Sequence, residues 1–186
     1  MQAKMMKSML AALVLGGLLL ACNTSGGNQQ NTAITAATPA TTTEDWGYFQ
    51  PVGDSLLIPP FEVVLELSEK AAQKLKKQQE NILVDAMFTG VPTDTTSESY
   101  QMEGEIFVAE SIKELTGAGT AKIEGVKISK KLYHELRDKD IMLLVNVFSA
   151  RKSSEDNLLD CGIISDKMSV VKNSNFTIRC KLIYGE

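Results

Sequence analysis

Residues 61–90 read FEVVLELSEKAAQKLKKQQENILVDAMFTG, and this stretch decides the fold class. Its first seven residues alternate, setting Phe61, Val63, Leu65 and Leu67 on one face of a strand that begins after Pro59-Pro60. Alternation returns in ILVDAMF, where Ile82, Val84, Ala86 and Phe88 share a face before Gly90 and Pro92 end the run. Between the two, Ser68 is placed to cap EKAAQKLKKQQ, a short helix with a narrow apolar stripe of Ala71, Ala72 and Leu75.

The pattern recurs. Residues 121–150 read AKIEGVKISKKLYHELRDKDIMLLVNVFSA: a strand, a cap at Ser129, a helix with Leu132, Tyr133 and Leu136 on its apolar side, and a strand ending in Phe148. The cap-to-Phe distance is 20 residues from Ser68 to Phe88 and 19 from Ser129 to Phe148, which marks an internal pseudo-repeat. Helices this short bury little alone, so each is expected to carry the chain from one sheet to the other across the end of a sandwich. GEIFVAESIKEL, KIEGVKI, LLDCGII and FTIRCKLIY add further strand patterns. The expected fold is mainly β: a β-sandwich, Ig-like or transthyretin-like, of about seven strands with two short helices. Gly117, Gly119 and Gly125 in TGAGTAKIEG suit a tight hairpin turn rather than a phosphate cradle, because strand sequence follows where a phosphate loop needs a helix.

The 186 residues leave room for one domain with tails. Hydrophobic residues make up 44% and charged residues 23%, a globular mix. With 19 Lys and Arg against 23 Asp and Glu, the chain lacks the clustered cations that neutralise phosphates, so nucleic acid is not an expected partner.

Residues 1–21 have the form of a secretory leader: Lys4 and Lys7 precede an apolar run from Met9 to Ala21, shorter than the roughly 20 residues a spanning helix needs. Leu19, Leu20, Ala21 and Cys22 resemble the lipobox of bacterial lipoproteins. That resemblance implies thioether attachment of diacylglycerol to Cys22, cleavage before it, acylation of the new amine by a chain such as palmitate, and a membrane contact made through the lipid. More than one acyl chain is needed for stable anchoring. The second mature position is Asn23, not the Asp that in such lipoproteins often marks inner-membrane retention, so the resemblance implies the outer membrane, periplasmic side. Losing residues 1–21 deepens the net charge from −4 to −6 and disfavours binding to anionic headgroups. Residues 22–44, rich in Thr, Asn, Gln, Gly and Ala, read as a disordered tether with a reach of about 25 Å. Aromatic residues first appear at Asp45-Trp46-Gly47-Tyr48-Phe49, and the single domain is expected over 45–186.

Cys161 and Cys180 remain as an even pair in an exported chain, which favours a disulfide closing a loop of about 20 residues, worth roughly 3 kcal/mol, over a redox site. The single histidine, His134, sits in the second helix with no companion for a zinc site or a catalytic triad. No cofactor is expected. The polar loop RKSSEDNLLDCG is the candidate recognition loop, through Arg151, Lys152, Glu155, Asp156, Asn157 and Asp160; its spacing does not match an EF-hand.

Together these readings describe a non-catalytic, lipid-anchored binding or adaptor module in an envelope assembly, with a protein partner. Secretion-system lipoproteins with transthyretin-like sandwiches are similar in general plan, by architecture alone. The alternative is a periplasmic lipoprotein that binds a small ligand or a metal ion.

Overall fold

The computed structural model describes residues 44–172 and 174–185, so the leader, Cys22 and the tether up to Thr43 lie outside the described residues. The chain runs β1 (Gln50–Val52), β2 (Ser55–Leu57), β3 (Phe61–Leu67), α1 (Glu69–Gln78), β4 (Ile82–Gly90), α2 (Glu98–Glu103), β5 (Ile106–Leu115) and β6 (Gly119–Ile123). It continues through β7 (Lys127–Ser129), α3 (Lys130–Glu135), β8 (Met142–Ser149), β9 (Leu159–Cys161), β10 (Ile164–Lys167), α4 (Met168–Val171) and β11 (Asn175–Leu182).

These strands make two four-stranded sheets, β10-β8-β4-β5 and β6-β3-β11-β9, and a small sheet β1-β2-β7. Their inward residues meet in one core: Phe61, Val63 and Leu65 from β3, Ile82, Val84, Ala86 and Phe88 from β4, Leu143, Val145 and Val147 from β8, and Ile178 from β11. The fold is mainly β and sandwich-like, as the alternation requires, and β3 pairs in parallel with β11.

Both helices begin where expected. Ser68 Oγ accepts from Ala71 N at 3.1 Å and Ser129 Oγ accepts from Leu132 N at 3.0 Å. Helix α1 leads from the sheet of β3 into that of β4, and α3 leads from the small sheet into β8. Each therefore carries the chain between sheets. Ala71 and Leu75 are buried but Ala72 faces solvent, so the stripe of α1 is narrower than expected. Helix α3 ends at Glu135 rather than Asp138, because Leu136 leaves helical geometry to bridge Pro92 and bury its side chain.

The two repeat units deliver β4 and β8 side by side, antiparallel, with Asp85 opposite Asn146, each 17 residues beyond its cap. The Phe residues are not equivalent. Phe88 points into the core and Phe148 lies on the outer face, since spacings of 20 and 19 residues put them on opposite sides of a period-two strand.

Among the described residues, eleven strands and four helices replace about seven and two. Two expected strands each divide and change sheets: KIEGVKI breaks at Gly125, with φ +73°, into β6 and β7, and LLDCGII breaks at Gly162 into β9 and β10. Residues 116–118 join β5 to β6, which belong to different sheets, so Gly117 lies in a crossover and Gly119 opens β6, not the expected hairpin turn. A hairpin forms instead at Gly53-Asp54, with Gly53 at φ +57°, between the short strands β1 and β2.

Candidate functional site

The loop from β8 to β9 is a braced structure. Glu80, 2% exposed at the end of α1, accepts from Lys152 N at 3.0 Å and from Ser153 N and Oγ at 2.6 Å each. Burial by itself raises the Glu80 carboxyl pKa, but the Ser153 hydroxyl and the backbone amides of Lys152, Ser153 and Asn81 outweigh it and hold the group below its ordinary range. Arg151 takes a left-handed conformation, φ +59°, to bring the two amides onto this carboxylate.

Asn157 closes the far end of the loop. Its Oδ1 accepts from Ser149 N at 2.9 Å and Leu159 N at 3.1 Å, while its Nδ2 donates to Leu159 O at 2.8 Å. Lys152 Nζ pairs with Glu114, and Asp160 pairs with Lys181 Nζ at 3.5 Å. The six residues of the candidate recognition loop thus divide by their contacts. Asn157 and the backbone of Lys152 hold the loop, Asp160 belongs to the ion pairs of a neighbouring sheet, and Arg151, Glu155 and Asp156 are exposed. Sequence reasoning missed Glu80, because a carboxylate between a helix and a strand gives no sign that it is buried against a loop some 70 residues away.

Cys161 and Cys180 stand directly opposite on β9 and β11, with sulfurs at disulfide distance. Beside them lies an open groove of about 590 Å³ lined by Glu66, Asp160, Gly162, Arg179 and Lys181. Its charged groups pair with one another, Arg179 Nε with Glu66 at 2.8 Å and Lys181 with Asp160. His134 is half-exposed, 3.0 Å from Glu44 and against the ring of Trp46, which also meets Tyr133 and the Lys130 ammonium. The aromatic start of the domain is thereby fixed to α3. Among the described residues no three His, Cys, Asp or Glu side chains gather as a metal-binding group, and no helix is long and apolar enough to cross a membrane.

The two main sheets differ in their outer faces. On β6-β3-β11-β9 three ion pairs cross the outer face, Lys122 with Glu62 at 3.2 Å, Arg179 with Glu66 and Lys181 with Asp160, with Thr120, Val64 and Thr177 in a row between them. Such a face is adapted to water. On β10-β8-β4-β5 the outward residues of β4 are Leu83, Asp85, Met87 and Thr89, and those of β8 include Leu144, Asn146 and Phe148. On β5 they are Phe107, 60% exposed, Glu110, Ile112, 50% exposed, and Glu114. Asp85 Oδ1 is buried among these groups with no hydrogen-bond partner, and Glu110 lies on the same face one register step away. Burial first, and the Glu110 charge second, push the Asp85 carboxyl above its ordinary range.

The signal for this face was present in the sequence. In ILVDAMF and IMLLVNVF the positions between the core residues are themselves mostly apolar, the pattern of strands covered on both sides.

Compared with known proteins, the chain matches no family model, no curated protein and no solved structure.

Proposed function

We propose that this chain is a lipid-anchored protein of the cell envelope, held at the periplasmic side of the outer membrane through Cys22, and that it acts as a non-catalytic binding or adaptor module. The observation that carries the binding role is the contrast between the two outer faces. One sheet carries three ion pairs across its solvent side, while the other sets Phe107, Ile112, Leu83, Met87, Leu144 and Phe148 there among Asp85, Asn146, Glu110 and the Glu114–Lys152 pair, a mixture of apolar and polar groups suited to a protein interface. The anchoring role is supported by the leader, its Leu-Leu-Ala-Cys junction and the polar tether that follows.

The test has two arms on the full-length chain. Metabolic labelling with palmitate should mark the wild type and not Cys22→Ser, and the label should fractionate with the outer membrane. Crosslinking in native envelopes followed by affinity purification should then give a stoichiometric protein partner that Cys22→Ser weakens or loses. An unlabelled wild type overturns the anchor. A labelled protein with no protein partner overturns the adaptor role and turns attention to small molecules and metal ions.

A further inference from the structure

The apolar sheet face does not repel every partner equally, and its charges say which partner it fits. Asp85 and Glu110 both point out of it, one Oδ1 lacks a hydrogen-bond donor, and no cation among the described residues pairs with either carboxylate. The cations at the rim are engaged elsewhere: Lys167 with Asp138 at 3.3 Å and Lys152 with Glu114. A buried oxygen without a donor is costly, and the cost is recovered when a donor arrives. Around it lie Leu83, Met87, Ile112 and Leu144, and Asn146 stands directly opposite without bonding to it, so a donor from a partner would arrive on a surface that is apolar apart from Asn146 and Glu110.

We infer that the outer face of β10-β8-β4-β5 docks a protein segment that carries an arginine or lysine among apolar side chains, the cation seating between Asp85 and Glu110. This rests on the adaptor reading and specifies its partner. A second copy of this chain is a poor occupant, since a face-to-face pair sets two Asp85 and two Glu110 carboxylates against each other. An anionic lipid surface is poor for the same reason. Four strands about 4.8 Å apart and some eight residues long cover roughly 500 Å², so the two partners together bury about 1,000 Å², the lower end of specific interfaces. That size calls for a short segment, such as one helix laid across the sheet.

The experiment places a photoreactive benzoylphenylalanine at Ile112, at Thr177 on the ion-paired sheet or at Asp156 on the loop, one site at a time, in the full-length protein in its native envelope. The expected result is a discrete protein adduct from position 112 and none from 177, with the crosslinked segment carrying an Arg or Lys among apolar residues. Asp85→Asn combined with Glu110→Gln should lower that adduct about 30-fold, as loss of a desolvated charge pair does. Circular dichroism checks that this double variant is folded; if it is not, Glu110→Gln alone, at an exposed site, reads the same effect. An adduct with a second copy, with lipid, with a segment lacking a cation, or one undiminished in the double variant overturns the inference. An adduct from 156 and not from 112 also overturns it while the adaptor reading stands. No adduct at any position removes both.

Discussion

Replacing Glu80 by Ala should unfasten the loop between β8 and β9 and lower the stability of the whole domain. The substitution strips acceptors from two backbone amides and one hydroxyl, those of Lys152 and Ser153. Hydrogen bonds to a charged acceptor are worth about 1.5–3 kcal/mol each, but the three share one carboxylate and the freed groups reach water as the loop lifts, so about 3 kcal/mol in total is expected. For a domain of this size that is a fall of roughly 9 °C in Tm. The assay is urea denaturation of the domain from residue 44 onward, followed by circular dichroism, with Asp156→Ala on the same loop as the control. Asp156 is exposed, so its loss should change stability by less than about 0.5 kcal/mol.

The pH profile provides an independent check. Because the folded Glu80 carboxyl lies below its ordinary value, its contribution is fully present above the unfolded pKa of 4.5 and is lost as pH falls through the folded value. The gap between wild type and Glu80→Ala should therefore be constant near neutrality and narrow in acid. A cost below about 1 kcal/mol at pH 7, or a gap unchanged down to pH 2, would refute the latch.

Removing the disulfide with Cys161→Ala and Cys180→Ala together should cost about 3 kcal/mol, read from the denaturation midpoint, and the oxidised wild type should show no free thiol by alkylation and mass spectrometry in either of these two residues. Gly90→Ala should cost about 1–2 kcal/mol, because the added Cβ would sit 2.9 Å from Leu136 Cδ2, the far end of a side chain that can shift; the matched Gly117→Ala, in open space, should be close to neutral by the same assay. Asp85→Asn should raise Tm of the isolated domain at pH 7, since the raised carboxyl pKa penalises the ionised folded form. The gain should be absent below the ordinary value of 3.8 and complete once pH exceeds the folded value, as thermal scans across pH 3–8 will show.

The strands that build the core were legible because their inward residues alternate without interruption, and the two helices because Ser68 and Ser129 sit where capping hydroxyls belong. Where the chain changes sheets it was not legible. Gly125 and Gly162 interrupt runs that remain apolar on both sides, and one sequence cannot tell a bulge within a strand from a passage between sheets. Strands β1 and β2 are three residues each, too short for alternation to register. The polar stretch does form the connection between β8 and β9, but polarity alone did not separate Asn157, which ties the loop down, from Glu155 and Asp156, which face solvent. The apolar outer face was written in Leu83, Met87, Leu144 and Phe148, and was hidden only by reading each strand for its inward side.

The central claim is that one outer face of this sandwich is built for a partner and the other for water. The most direct measurement compares Ile112→Lys with Thr177→Lys in the full-length protein, recovering each from detergent-solubilised envelopes and quantifying the partner that co-purifies with the wild type. The account predicts that Thr177→Lys retains that partner at wild-type stoichiometry and that Ile112→Lys loses it, with both variants folded. Equal retention by both, or loss in Thr177→Lys alone, would contradict it.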